Sequence, residues 1–312
     1  MIKMNDIEIK RKLNELNQVD LLSSLREIQI EDIEIEPSKV IITEDHYNIV
    51  IRMGATDGNG VSVQKVIDEK KLNEGTTDER RIKVVTTEIS RNGEVVEVLE
   101  GDEITARRTG YNSAVVIKEF SIDEPVVGFL GVGPVAQHTL IGMFHAGIKP
   151  SEIRYISRDK SRAGDFENLL SEYFQNANSR WHDINPENVK RNGYLAGLDL
   201  LVIAAPIASE DDRGKILKLE ELNMLGKRAV IISLTGDGVQ HNVDERFLEE
   251  CDIIADNSKK VRETGESRFI GEREINSLRE VYSGKFERSD KRLFYDSTGS
   301  PITDLAFARL IV

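Results

Sequence analysis

The order of hydrophobic and polar residues gives the first third of the chain a strand-like texture. Apolar and β-branched runs recur between turn residues, and Asn92-Gly93 is a two-residue hairpin signal. The pattern predicts an antiparallel sheet with strands at residues 40–42, 48–53, 61–67, 82–89 and 94–99. A helix is predicted over residues 103–120, with Asp102 as its N-cap.

The segment before this sheet, residues 1–36, is dense in charge. Residues 20–30 are compatible with a helix. Ile28, Ile30, Ile33 and Ile35 then alternate with polar residues, which predicts a strand with one solvated face. We interpret the charge density as a solvated surface rather than as an acidic recognition tail.

After Pro125, short apolar runs alternate with helical stretches. Val126–Leu130 is a continuous apolar run of the kind that a parallel sheet buries on both faces. Further strands are predicted at residues 153–156, 198–204, 229–234 and 252–255. This alternation predicts a doubly wound α/β sheet, joined to the first part near residues 121–124.

Composition narrows the class of protein. The chain has 42 Lys and Arg against 55 Asp and Glu, a formal net charge of −13, which argues against nucleic-acid or anionic-membrane partners. One cysteine excludes an intrachain disulfide framework. We find no apolar stretch of bilayer length and no secretory signal, and therefore expect a cytoplasmic globular protein that acts on a small molecule.

A glycine-rich loop follows the run Val126–Leu130. Residues 131–136 fit G-x-G-x-x-A, with Gly131 for the tight turn, Gly133 for close approach of a pyrophosphate and Ala136 for packing. Pro134 suits a first helical position, and Val135 follows it. Strand before and helix after favour a Rossmann-type dinucleotide site over a turn that serves packing alone.

The end of the second strand of this part bears on the choice of cofactor. Ser157 occupies the position where NAD sites usually place an acid, and Arg158 is suited to a 2′-phosphate. The sequence favours NADP(H). NAD(H) is possible because Asp159 would be the ribose-binding acid if that position lay further along the chain than Ser157. The alternative is a solvated loop that carries Arg158, Lys160 and Arg162.

Two further segments carry a resemblance to a known family. Residues 98–114, VLEGDEITARRTGYNSA, resemble the "LRTAA" helix of the ornithine cyclodeaminase/mu-crystallin family, and residues 294–306, FYDSTGSPITDLA, resemble its closing "DSTG" segment. The resemblance extends from about Pro37 to the C-terminus. It implies a nicotinamide-dependent oxidoreductase that moves a hydride at the α-carbon of an amino or imino acid.

The resemblance also implies roles for individual residues. Arg108 would bind the substrate carboxylate, although Arg107 is equally placed on spacing alone. Lys65 matches the active-site lysine, for carboxylate binding or proton transfer, and Asp237 matches the family's catalytic aspartate. Thr109 would contact the cofactor. Without the resemblance, Lys65 is an exposed strand lysine, Asp237 a turn residue and Arg108 a surface ion-pair partner.

Three departures from the family pattern surround the substrate pocket. Lys39 stands where many members carry a second carboxylate-binding arginine. Residues 52–54, RMG, replace an "MP" stretch, and residues 110–112, GYN, replace small alanines. The cofactor loop is intact, so the resemblance supports hydride chemistry more strongly than any particular substrate.

The remaining expectations concern metals, domains and alternative functions. The five histidines show no metal-ligand spacing, and Ser297, Thr298 and Asp304 are predicted to pack and cap the tail. Residues 1–122 with 293–312 would form a substrate-binding and homodimerisation domain around a Rossmann domain at 123–292. The alternatives are a cyclodeaminase with recycled NAD and a non-catalytic, crystallin-like ligand-binding protein.

Overall fold

The computed structural model describes residues 2–42, 48–72, 80–157, 160–182, 193–204, 217–235 and 242–311. The chain divides into two units: Met1–Arg108 with Pro301–Val312, and Thr109–Ser300. These limits differ from the domain limits expected from the sequence. The roles assigned to the domains, substrate binding and dimerisation against dinucleotide binding, stay predictions.

The regular elements of both units are numbered in chain order. The strands are β1 (Ile2–Met4), β2 (Glu34–Ile42), β3 (Asn48–Thr56), β4 (Val61–Leu72), β5 (Arg80–Arg91), β6 (Glu94–Glu100), β7 (Val126–Leu130), β8 (Glu152–Ile156), β9 (Asn178–His182), β10 (Leu200–Ile203), β11 (Val230–Ser233), β12 (Cys251–Ala255), β13 (Asn276–Ser277) and β14 (Arg292–Asp296). The helices are α1 (Asp6–Glu15), α2 (Gln18–Glu27), α3 (Glu103–Phe120), α4 (Pro134–His145), α5 (Lys160–Tyr173), α6 (Leu219–Leu222), α7 (Glu245–Glu249), α8 (Ser258–Thr264), α9 (Leu278–Tyr282) and α10 (Pro301–Ile311).

The first unit is built on a six-stranded sheet of order β1-β6-β5-β4-β3-β2. β1 runs parallel to β6, and the other neighbours are antiparallel. The predicted hairpin between β5 and β6 is confirmed. Asn92 and Gly93 have φ of 52° and 83°, which matches the twist that this turn requires. Helix α10 packs against β3 and β4.

The N-terminal segment differs from its sequence prediction. α1 begins with a capping box, in which the Asn5 side chain accepts from the Glu8 N–H and Glu8 accepts in return. The helix predicted over residues 20–30 is confirmed up to Glu27 by α2. The strand predicted over Ile28–Ile35 is confirmed only at its end, where β2 begins, because Ile28–Ile30 form a 3-10 turn. Ile28 continues the buried face of α2 set by Leu21 and Leu25, so burial on a helical period overrides the alternation.

The second unit is a doubly wound α/β fold, as predicted. Its eight strands are parallel, in the order β13-β12-β14-β11-β10-β7-β8-β9. Read from β9 to β11, this is the 3-2-1-4-5 order of a Rossmann sheet, with the order reversing between β7 and β10. β14, expected in the first domain, pairs with β11 and β12 instead.

Candidate functional site

The glycine loop lies at the carboxyl end of β7, beside the point where the strand order reverses. Gly131 has φ of +92°, a conformation that side chains rarely adopt, and its N–H donates to the Ile156 carbonyl at 3.1 Å. Gly133 is the N-cap of α4, and Pro134 is its first residue. The loop therefore delivers the chain into a helix whose first N–H groups have no partner within the helix.

Space in front of this helix fits a dinucleotide pyrophosphate. A Cβ added to Gly133 would meet nothing closer than Arg162 Nη1, at 3.8 Å, whereas one added to Gly128 would lie 2.5 Å from Leu198 Cδ1. The packing of the protein thus requires Gly128 to be glycine but makes no such demand on Gly133. Free N–H groups, the positive end of the helix dipole and open space suit a phosphate.

The end of β8 bears on the second half of such a cofactor. Ser157 follows the strand and is buried, while Arg158 and Asp159 lie outside the described residues. Arg162 belonged to the solvated loop that was the alternative to an NADP(H) site, and the structure brings its guanidinium next to Gly133. The position of Arg162 in the first turn of α5, the helix after the second strand, could have indicated this.

Lys65 lies on the buried face of β4 in the first unit. Its side chain is 1% exposed, and Nζ donates to Asp304 Oδ1 of α10 at 2.7 Å. The interpretation of Lys65 as an exposed strand lysine is therefore wrong. Strand alternation places Val63, Lys65 and Ile67 on one face, and all three are buried.

Arg108 approaches the same carboxylate oxygen. Its Nε lies 3.2 Å from Asp304 Oδ1, an ion-pair distance, although the orientation does not give Nε a hydrogen bond. Arg107 is engaged elsewhere, with Glu103 at 2.9 Å and with the Asn14 side-chain oxygen at 2.7 Å. Spacing alone left both arginines as candidates, and these contacts make Arg108 the better candidate to bind a substrate carboxylate.

Asp304 is fully buried in α10, in agreement with its predicted part in packing the tail. Its carboxylate also lies between Lys65 and Arg108, which was not predicted. Its Oδ2 has no hydrogen-bond partner in the described part of the chain. We call these three side chains the cationic cluster. In the described part of the chain, two buried cations face one carboxylate here, an arrangement that suits a ligand carboxylate as a further anion.

The structure describes the other predicted site residues only in part. Lys39 pairs with Arg52 across β2 and β3, but its side chain lies outside the described set. Asp237 also lies outside the described residues. Thr109 begins the second unit, where its carbonyl accepts from the Ser113 hydroxyl at 2.8 Å.

A second buried polar group lies in the second unit. Glu266 accepts from the backbone N–H of Asn242 at 2.9 Å and of Val243 at 3.3 Å, and Asp296 accepts from the Ser267 N–H at 2.7 Å. We call Glu266 and Asp296, with these donors, the acidic cluster.

Burial raises the pKa of both carboxyl groups of the acidic cluster. For Glu266 the pKa rises to about 7, because the negative charge of Asp296 adds to burial and the Asn242 N–H only partly opposes them. For Asp296 the pKa rises to about 6 through burial, against the lowering effect of Ser267, and the charge of Asp256 adds to the rise. Near neutral pH these groups are partly protonated.

Among the residues that the structure describes, no helix is long and apolar enough to cross a membrane. Nor do three or more His, Cys, Asp or Glu side chains come together there in a way that could hold a metal ion.

Comparison with known proteins identifies one sequence family and several solved structures of similar fold. A model of the ornithine cyclodeaminase/mu-crystallin family matches residues 1–312. No curated protein sequence matches the chain.

Three solved structures share the fold over the whole chain at low sequence identity. An archaeal alanine dehydrogenase dimer with bound NAD has a TM-score of 0.79 at 17% identity, covering 100% of this chain and 94% of the other. Thermococcus litoralis Δ1-pyrroline-2-carboxylate reductase in complex with NADH and L-proline has a TM-score of 0.79 at 17% identity, covering 100% and 96%. A lysine cyclodeaminase has 0.77 at 15% identity, covering 100% and 91%.

Proposed function

The chain belongs to the ornithine cyclodeaminase/mu-crystallin family, and from this premise we propose that it is a nicotinamide-dependent oxidoreductase. It moves a hydride at the α-carbon of an amino or imino acid. The observation that carries the proposal is the cationic cluster of Lys65, Arg108 and Asp304, whose two buried cations suit a substrate carboxylate.

The residues of the chain divide the work as follows. The Arg108 guanidinium and the Lys65 ammonium hold the carboxylate and so present the α-carbon in one orientation. Lys65 or Asp237 exchanges the proton at the substrate nitrogen. Lys39 provides a further positive charge for the substrate carboxylate. The nicotinamide, when bound, supplies or accepts the hydride.

The cofactor is held by the glycine loop, with Thr109 as a further contact. Residues 131–136 and the start of α4 receive the pyrophosphate, since Gly133 leaves open space in front of the helix. We propose NADP(H) over NAD(H), because Ser157 replaces the usual acid and Arg158 follows it. The alanine dehydrogenase and the pyrroline-2-carboxylate reductase are described with NAD and NADH, so this preference rests on the residues of this chain.

The cofactor preference has its own test. Ser157→Asp places a carboxylate where NAD enzymes bind the ribose diol, and it repels a 2′-phosphate. We expect the ratio of kcat/KM for NADPH to that for NADH to fall at least tenfold. An unchanged ratio would contradict the assignment of Ser157. Ser161→Asp, in the exposed first turn of α5, is the matched control for added charge.

The main test is turnover by the purified protein. We expect oxidation of NADPH, faster than of NADH, with Δ1-pyrroline-2-carboxylate or Δ1-piperideine-2-carboxylate, and its loss in Gly133→Val, which fills the space for the pyrophosphate. Release of ammonia from lysine or ornithine without net cofactor oxidation would favour a cyclodeaminase, as in the lysine cyclodeaminase of similar fold. Cofactor binding with neither reaction would favour a crystallin-like binding protein.

We also propose a homodimer. The alanine dehydrogenase of similar fold is described as a dimer, and the family resemblance assigns dimerisation to the unit that holds the cationic cluster. Sedimentation velocity at micromolar concentration tests this, with about 70 kDa expected for two chains of 35.1 kDa. A species of single-chain mass across the concentration range would contradict it.

A further inference from the structure

We propose that Asp304 is a positioning residue that holds Lys65 and Arg108 together as one carboxylate-binding pair. This inference rests on the proposed function, since it names what keeps the proposed substrate anchor in place. Asp304 lies on α10, whereas Lys65 lies on β4 and Arg108 on α3. Three separate segments of the first unit thus meet at one carboxylate.

Charge and burial make such a carboxylate necessary. Lys65 is 1% exposed and Arg108 is 4% exposed, so neither cation has its full hydration shell. Two like charges in a poorly solvated site repel each other strongly. Asp304 Oδ1 lies 2.7 Å from Lys65 Nζ and 3.2 Å from Arg108 Nε, and therefore attracts both cations to one point.

Asp304 engages both cations through a single oxygen. Its Oδ1 faces Lys65 Nζ and Arg108 Nε, whereas a guanidinium carries five N–H donors on three nitrogens. The other nitrogens of Arg108 can therefore face a substrate carboxylate while Asp304 fixes the position of the guanidinium.

Asp57, in the same unit, forms a structural ion pair whose hydrogen bonds differ from those of Asp304. Asp57 accepts from the backbone N–H groups of Asn59 and Val61 and from Arg309 Nε of α10, at 2.9, 2.8 and 2.7 Å. Its hydrogen bonds account for both carboxylate oxygens. Asp304 Oδ2 and Arg108 Nε, in contrast, have no hydrogen-bond partner in the described part of the chain.

The first experiment compares two variants on α10. Asp304→Asn keeps the size of the side chain but removes the charge that holds the cations. We expect KM for Δ1-pyrroline-2-carboxylate, with NADPH, to rise at least tenfold, while KM for NADPH stays within about twofold. Arg309→Gln breaks the ion pairs to Asp57 and Glu31 on the same helix and should leave both KM values unchanged.

A double-mutant cycle distinguishes positioning from simple helix packing. If Asp304 acts through Lys65, the effect of Asp304→Asn on KM should largely disappear in a Lys65→Met background. The same fold-change in both backgrounds would overturn the proposal. So would a lower KM in Asp304→Asn, because Asp304 would then be a competitor of the substrate carboxylate rather than its support.

Two further measurements keep the test decisive. If Asp304→Asn does not fold, Asp304→Glu retains the charge; its KM should lie between those of the wild type and Arg108→Ala, and a KM as high as that of Arg108→Ala would overturn the proposal. Calorimetric titration of L-proline in the presence of NADPH gives the same comparison without turnover. A higher KM in Arg108→Ala with no change in Asp304→Asn would refute only this inference, whereas no effect of Arg108→Ala would refute the proposed function.

Discussion

The two units each bury a polar cluster, and the clusters differ in the sign of their charge. The cationic cluster joins Lys65 and Arg108 to Asp304, while the acidic cluster places Glu266 and Asp296 near one another. Both are shielded from water. The cationic side chains need an anion, whereas the acidic groups lower their charge by keeping protons, as their raised pKa values indicate.

The difference teaches that burial of polar groups does not by itself identify a ligand site. In the acidic cluster, backbone N–H groups of Asn242, Val243 and Ser267 already fill acceptor positions, and protonation removes the rest of the electrostatic cost. Unfilled hydrogen bonds do not distinguish the two clusters, because Asp296 Oδ1 also has no hydrogen-bond partner in the described part of the chain. The sign of the charge is what favours the cationic cluster as the site for a carboxylate ligand.

The largest expected effect comes from removing a cation. Arg108→Leu leaves Lys65 paired with Asp304 and the cluster neutral, so the substrate carboxylate loses its attraction. We expect kcat/KM to fall about 100- to 1000-fold, the range of a lost buried ion pair. Steady-state kinetics with Δ1-pyrroline-2-carboxylate and NADPH measures this.

The neighbouring arginine provides the control for that experiment. Arg107→Leu breaks contacts with Glu103 and Asn14, and it should lower the melting temperature while KM stays within about twofold. If Arg107→Leu and Arg108→Leu lowered kcat/KM equally, the special role of Arg108 in the cationic cluster would be contradicted.

The acidic cluster should set a pH dependence of stability. Between the ordinary pKa of Glu266, 4.5, and its folded value of about 7, the folded state keeps a proton that the unfolded state has lost. The free energy of unfolding should therefore fall as pH rises from about 5 to about 8, by on the order of 3 kcal/mol. Urea denaturation at fixed pH values measures it.

Substitution tests whether Glu266 causes this pH dependence of the free energy of unfolding. Glu266→Gln cannot ionise and should flatten the dependence above about pH 6, where Asp296 has lost its proton, while the exposed Glu272→Gln should leave it unchanged. A slope that persists in Glu266→Gln would move its origin to other groups.

The smallest effect should come from the partly exposed ion pairs of Arg309. Its guanidinium contacts Glu31 and Asp57 at 2.6 and 2.7 Å, but its side chain remains 23% exposed. Arg309→Gln should lower the free energy of unfolding by about 1 kcal/mol, since solvent screens such pairs. Denaturation with and without 0.5 M salt tests this, and a much larger, salt-insensitive loss would contradict it.

Much of the fold could be predicted because local pattern and final structure agree. The helix at 103–120 and the strand at 126–130 match their predicted bounds. Helix α1 was missed because only Ile9 and Leu13 of it are buried, which leaves little periodicity to detect. β14 was missed as a strand of the parallel sheet because its place between β11 and β12 depends on long-range pairing.

The candidate site was predictable only in part. Strand alternation alone places Lys65 on the same face as Val63 and Ile67, and this signal could have indicated a buried lysine. Spacing along the sequence could not distinguish Arg107 from Arg108, since two adjacent residues of a helix differ only in the direction in which their side chains point. The position of Asp304 beside Lys65 joins residues 239 apart in sequence, and no local pattern reports such a contact.

That long separation has a consequence for biosynthesis. Since a ribosome makes the chain from its N-terminus, the whole second unit emerges before residues 301–311 of α10. The continuous second unit can fold while the first still lacks a segment, because domains generally fold as units during synthesis. Until Asp304 leaves the exit tunnel, the nascent sheet carries Lys65 without its counter-ion. A released chain that ends at Ser300 should therefore retain nicotinamide binding and lack affinity for the amino-acid carboxylate.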